Sequence, residues 1–269
     1  MKLPQSHRRP YRLGVCLSGG GARGFAHIGA MRALRELGLV PDIIAGVSAG
    51  SVVAAFYAAG LLNDYSNDPL LRLFTTHKFR DFVEVHVPRE SFLSLDRFRR
   101  LIRETVPYDN IEELPIKTVI CATDIDAGTK KAFTSGVIAD CVAASCSMPI
   151  VFDPVTIDGH RYVDGGVLHN LPSWAIRHLC DKLIGINCSP MYQAPPAKNI
   201  IDIARRSYAL MSKNNVIPDM EMCDIVVNLT ETADHQVFDL HELELVVESG
   251  YLTTLKTLES TSQSLRPTR

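Results

Sequence analysis

Ser48 stands between two glycines in Gly46-Val47-Ser48-Ala49-Gly50. The G-x-S-x-G spacing places a serine on a sharp strand-to-helix turn, with its hydroxyl exposed. The chemistry open to such a residue is nucleophilic attack. Attack requires a base near the hydroxyl and donors that receive an oxyanion. The apolar run Asp42-Ile43-Ile44-Ala45 predicts a short strand before the turn, and Ser51 to Ala59 a helix of small residues that stops at Gly60. The flanking glycines let the backbone turn tightly and let neighbouring backbone approach. The start of the helix favours negative charge at the serine. On composition alone the pattern arises in roughly one chain in ten of this length, so other residues must carry the reading.

A second chemical element lies upstream. Leu13-Gly14-Val15-Cys16-Leu17 predicts a buried first strand, and Ser18-Gly19-Gly20-Gly21-Ala22-Arg23-Gly24 follows it. Ile28, Met31, Leu34 and Leu37 then recur at helical spacing up to Gly38. A glycine run between strand and helix exposes backbone N–H groups and binds an anion: phosphate, pyrophosphate or oxyanion. Gly19, Gly21 and Gly24 also fit the dinucleotide fingerprint. That fingerprint needs an acid about 20 residues on, at the end of the second strand. Here the second strand ends in the serine turn, and Asp42 sits at its beginning, so the nucleotide reading lacks its ribose contact.

The third element is Asp164. Val155-Thr156-Ile157 and Arg161-Tyr162-Val163 flank Asp158-Gly159, a hairpin turn signal. Asp164 falls where the second hairpin strand gives way to Gly165-Gly166. An aspartate there either caps its own turn or serves as a base.

Together, Gly19-Gly20-Gly21-Ala22-Arg23-Gly24, Gly46-Val47-Ser48-Ala49-Gly50 and Asp164-Gly165-Gly166 resemble the three signature blocks of the patatin-like phospholipases. Ala144 to Pro154 is similar to that family's segment before the aspartate. The blocks span roughly residues 12–190, and the compact chain looks like the small bacterial members. The resemblance implies a lipid acyl hydrolase with a Ser–Asp dyad and no catalytic histidine; with neither a ligand cluster nor a ribose-binding acid in the sequence, no cofactor is expected. Carried over, Ser48 is the nucleophile, Asp164 the base and the loop of Gly19, Gly20, Gly21, Ala22, Arg23 and Gly24 the oxyanion hole. On chemical grounds the Gly20 and Gly21 N–H groups are the best oxyanion donors, with Ala49 N–H a further candidate. Arg23 braces the loop or lies over a phosphate; the alternative is a solvated loop residue.

The elements that must position these residues alternate between strand and helix. Ile116–Thr123, Lys130–Thr134, Leu183–Cys188 and Asp224–Leu229 read as strands. Residues 96–104, capped by Ser94, and 138–147, 200–214 and 241–258 read as helices. The alternation predicts an α/β fold, three-layer α/β/α with a mostly parallel central sheet, whose sites lie at the carboxyl ends of the strands. We expect one domain over residues 1–269. Residues 61–92 read as an insertion whose Phe74, Phe79, Phe82, Val83, Val85, Val87 and Phe92 form a lid or channel wall, or only anchor it.

Composition narrows the partners. With 46% hydrophobic residues in 269, the chain can bury a sizeable core, and a net charge of −2 gives no basic footprint for nucleic acid. Seven cysteines with no C-x-x-C spacing read as buried thiols in a reducing compartment, not as a zinc site, so no metal is expected. No apolar run follows the basic N-terminus and none spans a bilayer. The expected partner is a lipid or ester substrate, met in the cytoplasm or by transient contact with a membrane surface; oligomeric state is not set by the sequence. Two rivals remain. An α/β-hydrolase triad would complete Ser48 and Asp164 with His169, His178, His235 or His241. A non-catalytic regulator would keep the lipid pocket for binding alone.

Overall fold

A computed structural model describes residues 9–62, 68–76, 79–85, 91–189, 198–230 and 242–265. The chain begins with β1 (Tyr11–Leu17), a 3-10 turn (Gly21–Phe25), α1 (Ala26–Glu36), β2 (Ile43–Val47) and α2 (Ala49–Ala58). Then come α3 (Pro69–Thr76), α4 (Phe79–Phe82), β3 (Glu84–Val85), β4 (Leu93–Ser94) and α5 (Asp96–Thr105). β5 (Lys117–Asp124), β6 (Thr129–Phe133), α6 (Ile138–Cys146), β7 (Val155–Ile157) and β8 (His160–Asp164) form the middle. A 3-10 turn (Gly165–Val167), α7 (Ser173–Ile176), β9 (Cys180–Asn187), α8 (Ile200–Glu221), β10 (Ile225–Asn228) and α9 (Leu243–Leu265) complete it.

The sheet runs β10-β9-β1-β2-β5-β8-β7, with β6 also paired to β5. From β10 to β5 each pairing is parallel, whereas β6, β8 and β7 join antiparallel. Strands buried on both faces are apolar nearly throughout, and β2 is buried at all of its positions. Alternate residues of each strand enter opposite layers. Leu13, Val15 and Leu17 pack with Met31 of α1, Phe56 of α2, Val142 of α6 and Leu258 of α9. Cys16 and Val47 face the other way, toward Ile176 of α7 and Val216 of α8. The three layers expected from the sequence are present.

Several boundaries differ from expectation. β2 runs on through Gly46 and Val47, and α2 starts at Ala49, so Ser48 is the only residue between them. The cap position of α5 is Leu95; Ser94 sits one residue earlier, its Oγ accepting the Asp96 N–H at 3.1 Å. α8 continues past residue 214 to Glu221, with Pro218 inside its last turn, where it gives up the bond to the residue 214 carbonyl. The insertion holds two short helices and a strand, β3, which pairs with β4 just beyond it; the sequence did not suggest these. The Asp158-Gly159 turn is as expected, both residues having positive φ between β7 and β8.

Candidate active site

The sheet register explains how residues 116 positions apart come together. β5 has two edges. Its Ile120 and Cys121 pair with β2 and also with β6, so β2 and β6 lie on opposite edges. Ala122 to Asp124 pair with β6 and also with β8, so β8 lies on the β2 edge. β8 therefore takes up that edge where β2 leaves off. Val47 registers with Cys121 and Asp164 with Ala122, which sets Asp164 against the end of β2, beside Ser48. A Cβ on Gly165 would press on the Val47 side chain at 3.1 Å, so glycine is needed where the two strands meet.

Ser48 has φ 52° and ψ −127°, a conformation few non-glycine residues adopt. Strain of this kind persists only where surrounding structure overdetermines it. Gly46 and Gly50 allow the turn to close, because a Cβ on Gly46 would collide with the Gly50 carbonyl. A Cβ on Gly50 would strike the Leu17 carbonyl, so the elbow crosses directly over the end of β1. Ser145 holds the turn from below. Its Oγ accepts the Ser48 N–H at 2.8 Å and donates to the Cys121 carbonyl at 2.6 Å. Ser145→Ala leaves both groups unpaired and should lower stability by about 1–3 kcal/mol in urea unfolding; an unchanged midpoint would show that the brace contributes nothing.

Asp164 is 2% exposed. Its Oδ1 accepts the Gly166 N–H at 2.9 Å, and its own N–H donates to the Ser147 carbonyl at 2.9 Å. Burial pushes its pKa up to about 6, against opposing hydrogen bonds from Gly166 N–H and the Ser48 and Tyr208 hydroxyls. A carboxylate with that pKa is a far better proton acceptor than an exposed aspartate and is still ionised at neutral pH. Cys146, also near Ser48, has its thiol pushed upward by burial and by Asp164, so it stays protonated.

The glycine loop divides in two. Gly19 donates its N–H to the Asn170 carbonyl at 3.0 Å, and its carbonyl accepts Ser189 Oγ at 2.6 Å. Gly19 therefore anchors the loop, and its N–H is engaged within the protein. Gly20 and Gly21 precede the first bond of the 3-10 turn, where N–H groups have no partner within the turn. Arg23 is 4% exposed, which removes the solvated alternative. Its charge reaches Cys188 beneath the loop, where the thiol is also held down in pKa by His27. His27 Nε2 donates to the Ser18 carbonyl at 2.9 Å.

Ser48 opens onto an apolar cavity of about 140 Å³, lined on the site side by Gly21, Gly24 and Cys146. Phe25, Phe74, Phe82 and Phe98 supply its aromatic wall. Phe74 and Phe82 stack at 4.4 Å, and Phe25 meets Phe74 edge-on at 5.0 Å. The insertion thus contributes directly to the wall of this cavity. Phe79, Val85 and Val87 of the same segment have side chains outside the described residues. A wider groove near the amino ends of the strands is lined by Arg12, Asp42 and Asp181 and holds no nucleophile.

Two of the four histidines that could complete a triad are among the described residues. His169 Nδ1 donates to Asp219, 3.1 Å away, and its ring packs on Trp174. His178 precedes β9, whose first residue registers with Tyr11 at the opposite end of the sheet from Ser48. His235 and His241 fall outside the described residues. Among the described residues no three His, Cys, Asp or Glu side chains gather as a metal site. No described helix is long and apolar enough to cross a membrane.

The patatin-like phospholipase family model matches residues 15–175, more than half of the chain and all three glycine-bearing blocks. The chain belongs to the patatin-like phospholipase family. It is 35% identical over 161 residues to an uncharacterized NTE family protein of Mycobacterium tuberculosis, covering 60% of this chain and 44% of that one. It is 33% identical over 174 residues to a neuropathy target esterase of Drosophila melanogaster, covering 62% of this chain and 12% of that one. The chain thus matches less than half the length of these relatives. A human GIVD cytosolic phospholipase A2 shares the fold, with a TM-score of 0.56 at 10% identity, covering 96% of this chain and 59% of that one. The match places the sequence signals of the serine turn, glycine loop and aspartate inside one family domain. Four residues at the site carry no role that the sequence alone assigns: Ser145, Cys146, Asn170 and Tyr208. Only Ser145 and Cys146 lie in a stretch that the family resemblance marks.

Proposed function

We propose that this member of the family hydrolyses carboxylic esters of lipids through a Ser48–Asp164 dyad. The observation that carries the reading is a strained serine whose hydroxyl meets a buried carboxylate at the mouth of an apolar cavity. Asp164 takes the proton as Ser48 Oγ attacks the ester carbonyl. The resulting oxyanion is received by Gly20 and Gly21 N–H, with Ala49 N–H at the start of α2. Asp164 then returns the proton to the leaving alcohol, and the acyl group remains on Ser48. A water molecule, deprotonated by Asp164, attacks that ester, and the acid departs as the proton returns to Ser48. Each step conserves the proton between serine, aspartate and the oxygen that leaves or attacks.

A cavity of about 150 Å³ holds a benzene-sized molecule, so roughly six carbons of an acyl chain fit beside Ser48 before the phenylalanine wall is reached. Turnover of p-nitrophenyl esters should therefore peak at short to medium chains. Phe74→Ala should move the peak toward longer chains, since it opens the wall without touching Ser48. The test is a chain-length series with wild type, Phe74→Ala and Ser48→Ala, followed by a phospholipid and lysophospholipid panel. Lipid binding without turnover in the wild type would instead leave a binding-only protein.

A further inference from the structure

We propose that Tyr208 is a positioning residue for Asp164 and sets the pH at which the base becomes competent. This inference rests on the Ser48–Asp164 reading and extends it to a residue outside the matched family segment. Tyr208 lies on α8, whose Val216 packs in the layer opposite α2, while Tyr208 itself packs against the core that holds Val52 and Phe56 of α2. Its hydroxyl is turned inward against Gly166: a Cβ on Gly166 would collide with that oxygen and would press Ser212 Oγ at 3.0 Å. The second glycine after Asp164 thus makes the space through which the phenol reaches the carboxylate.

Proton accounting fixes the direction of the bonds. Ser212, one turn along α8, donates its single hydroxyl proton to the Gly166 carbonyl at 2.9 Å. Beside the phenol, Ser212 Oγ, its proton spent, and the ionised carboxylate can both only accept; the carboxylate is charged and so the stronger acceptor, and it takes the Tyr208 proton. The phenol is held protonated by burial and by the adjacent carboxylate. Asp164 therefore collects three donors: Gly166 N–H, Ser48 O–H and Tyr208 O–H. The Tyr208 bond is the one that neither the backbone nor the reacting serine supplies. It holds the carboxylate toward Ser48 and favours its charged form against burial. Tyr208 keeps its own proton throughout the reaction.

The test is the pH dependence of kcat/KM with a short-chain ester for wild type, Tyr208→Phe, Asn215→Ala and Asp164→Asn. Loss of a donor to the charged form raises the carboxylate pKa, so Tyr208→Phe should move the acid limb upward by about one pH unit. At pH 6 that is a loss of several-fold, while activity at pH 8.5 stays within a few-fold. Asn215 Nδ2 also donates to the Gly166 carbonyl, at 2.8 Å, without being among the donors to Asp164. Asn215→Ala should loosen the same loop and leave the acid limb in place. A Tyr208→Phe limb that does not move, or an equal shift in Asn215→Ala, overturns the proposal while the dyad stands. Full activity in Asp164→Asn overturns the dyad itself. If Tyr208→Phe fails to fold, 3-fluorotyrosine at position 208 gives a stronger donor in the same shape and should move the limb downward; no movement again overturns the proposal.

Discussion

Ser48→Ala is expected to reduce ester turnover by at least about 10⁴-fold, because the nucleophile of a covalent mechanism has no substitute in its site. Cys146 lies beside Ser48, but its thiol is held protonated by burial and by Asp164, and the Ser51 hydroxyl is committed to the Ser48 carbonyl. Ser18 and Ser147 are buried, and the Ser147 hydroxyl is committed to the Ala143 carbonyl. A fluorophosphonate should accordingly modify a single peptide, the one containing Ser48, and Ser48→Ala should remain unmodified. The substitution keeps the backbone but removes one donor to the buried Asp164 carboxylate, so stability in urea unfolding should fall by about 1–3 kcal/mol while the fold is retained. Activity of Ser48→Ala within tenfold of wild type would refute the assignment.

Asp164→Asn is the second large effect. It should reduce turnover about as far as Ser48→Ala, since members of one catalytic unit act together. In wild type the carboxylate must be ionised to accept a proton. With its pKa near 6, kcat/KM should be level above about pH 7 and fall as pH drops through 6. The raised pKa has an opposite consequence for stability. It lies above the usual carboxylate value, so the native state binds this proton more tightly than the unfolded chain. Ionised Asp164 therefore destabilises the fold above pH 6, and the penalty disappears below about pH 4. A rise from the ordinary aspartate value to about 6 corresponds to about 3 kcal/mol at most. Asp164→Asn removes the buried charge and should raise stability by about 1–3 kcal/mol at pH 7.5 in urea unfolding. An inactive but more stable variant separates lost chemistry from lost fold.

The sequence made the local chemistry legible and left the assembly hidden. Ser48, the glycine loop and the Asp158-Gly159 hairpin leading to Asp164 each follow from short-range rules of turns and strands. The layer architecture follows from alternation of strands and helices. What brings Asp164 to Ser48 is the sharing of one edge of β5 by β2 and β8, a matter of long-range register that no local pattern encodes. Gly19 looks equivalent to Gly20 and Gly21 in the sequence, and only the carbonyl of distant Asn170 distinguishes it. Tyr208 is invisible for the same reason: a tyrosine on a helix carries no signal of which loop it will meet. The phenylalanines of the insertion are visible as apolar surface, but their direction toward Ser48 comes from the packing of α3 and α4.

The most direct test of the Ser48–Asp164 dyad is the rate of fluorophosphonate addition to Ser48 as a function of pH. It isolates the first proton transfer from substrate binding and acyl-enzyme hydrolysis. The dyad predicts a single rise with midpoint near pH 6, absent in Asp164→Asn and unaltered in His169→Gln. A midpoint near the ordinary histidine range, about 6.5–7, that disappears when a histidine is replaced, or addition to Ser48 in Asp164→Asn at the wild-type rate, would contradict it.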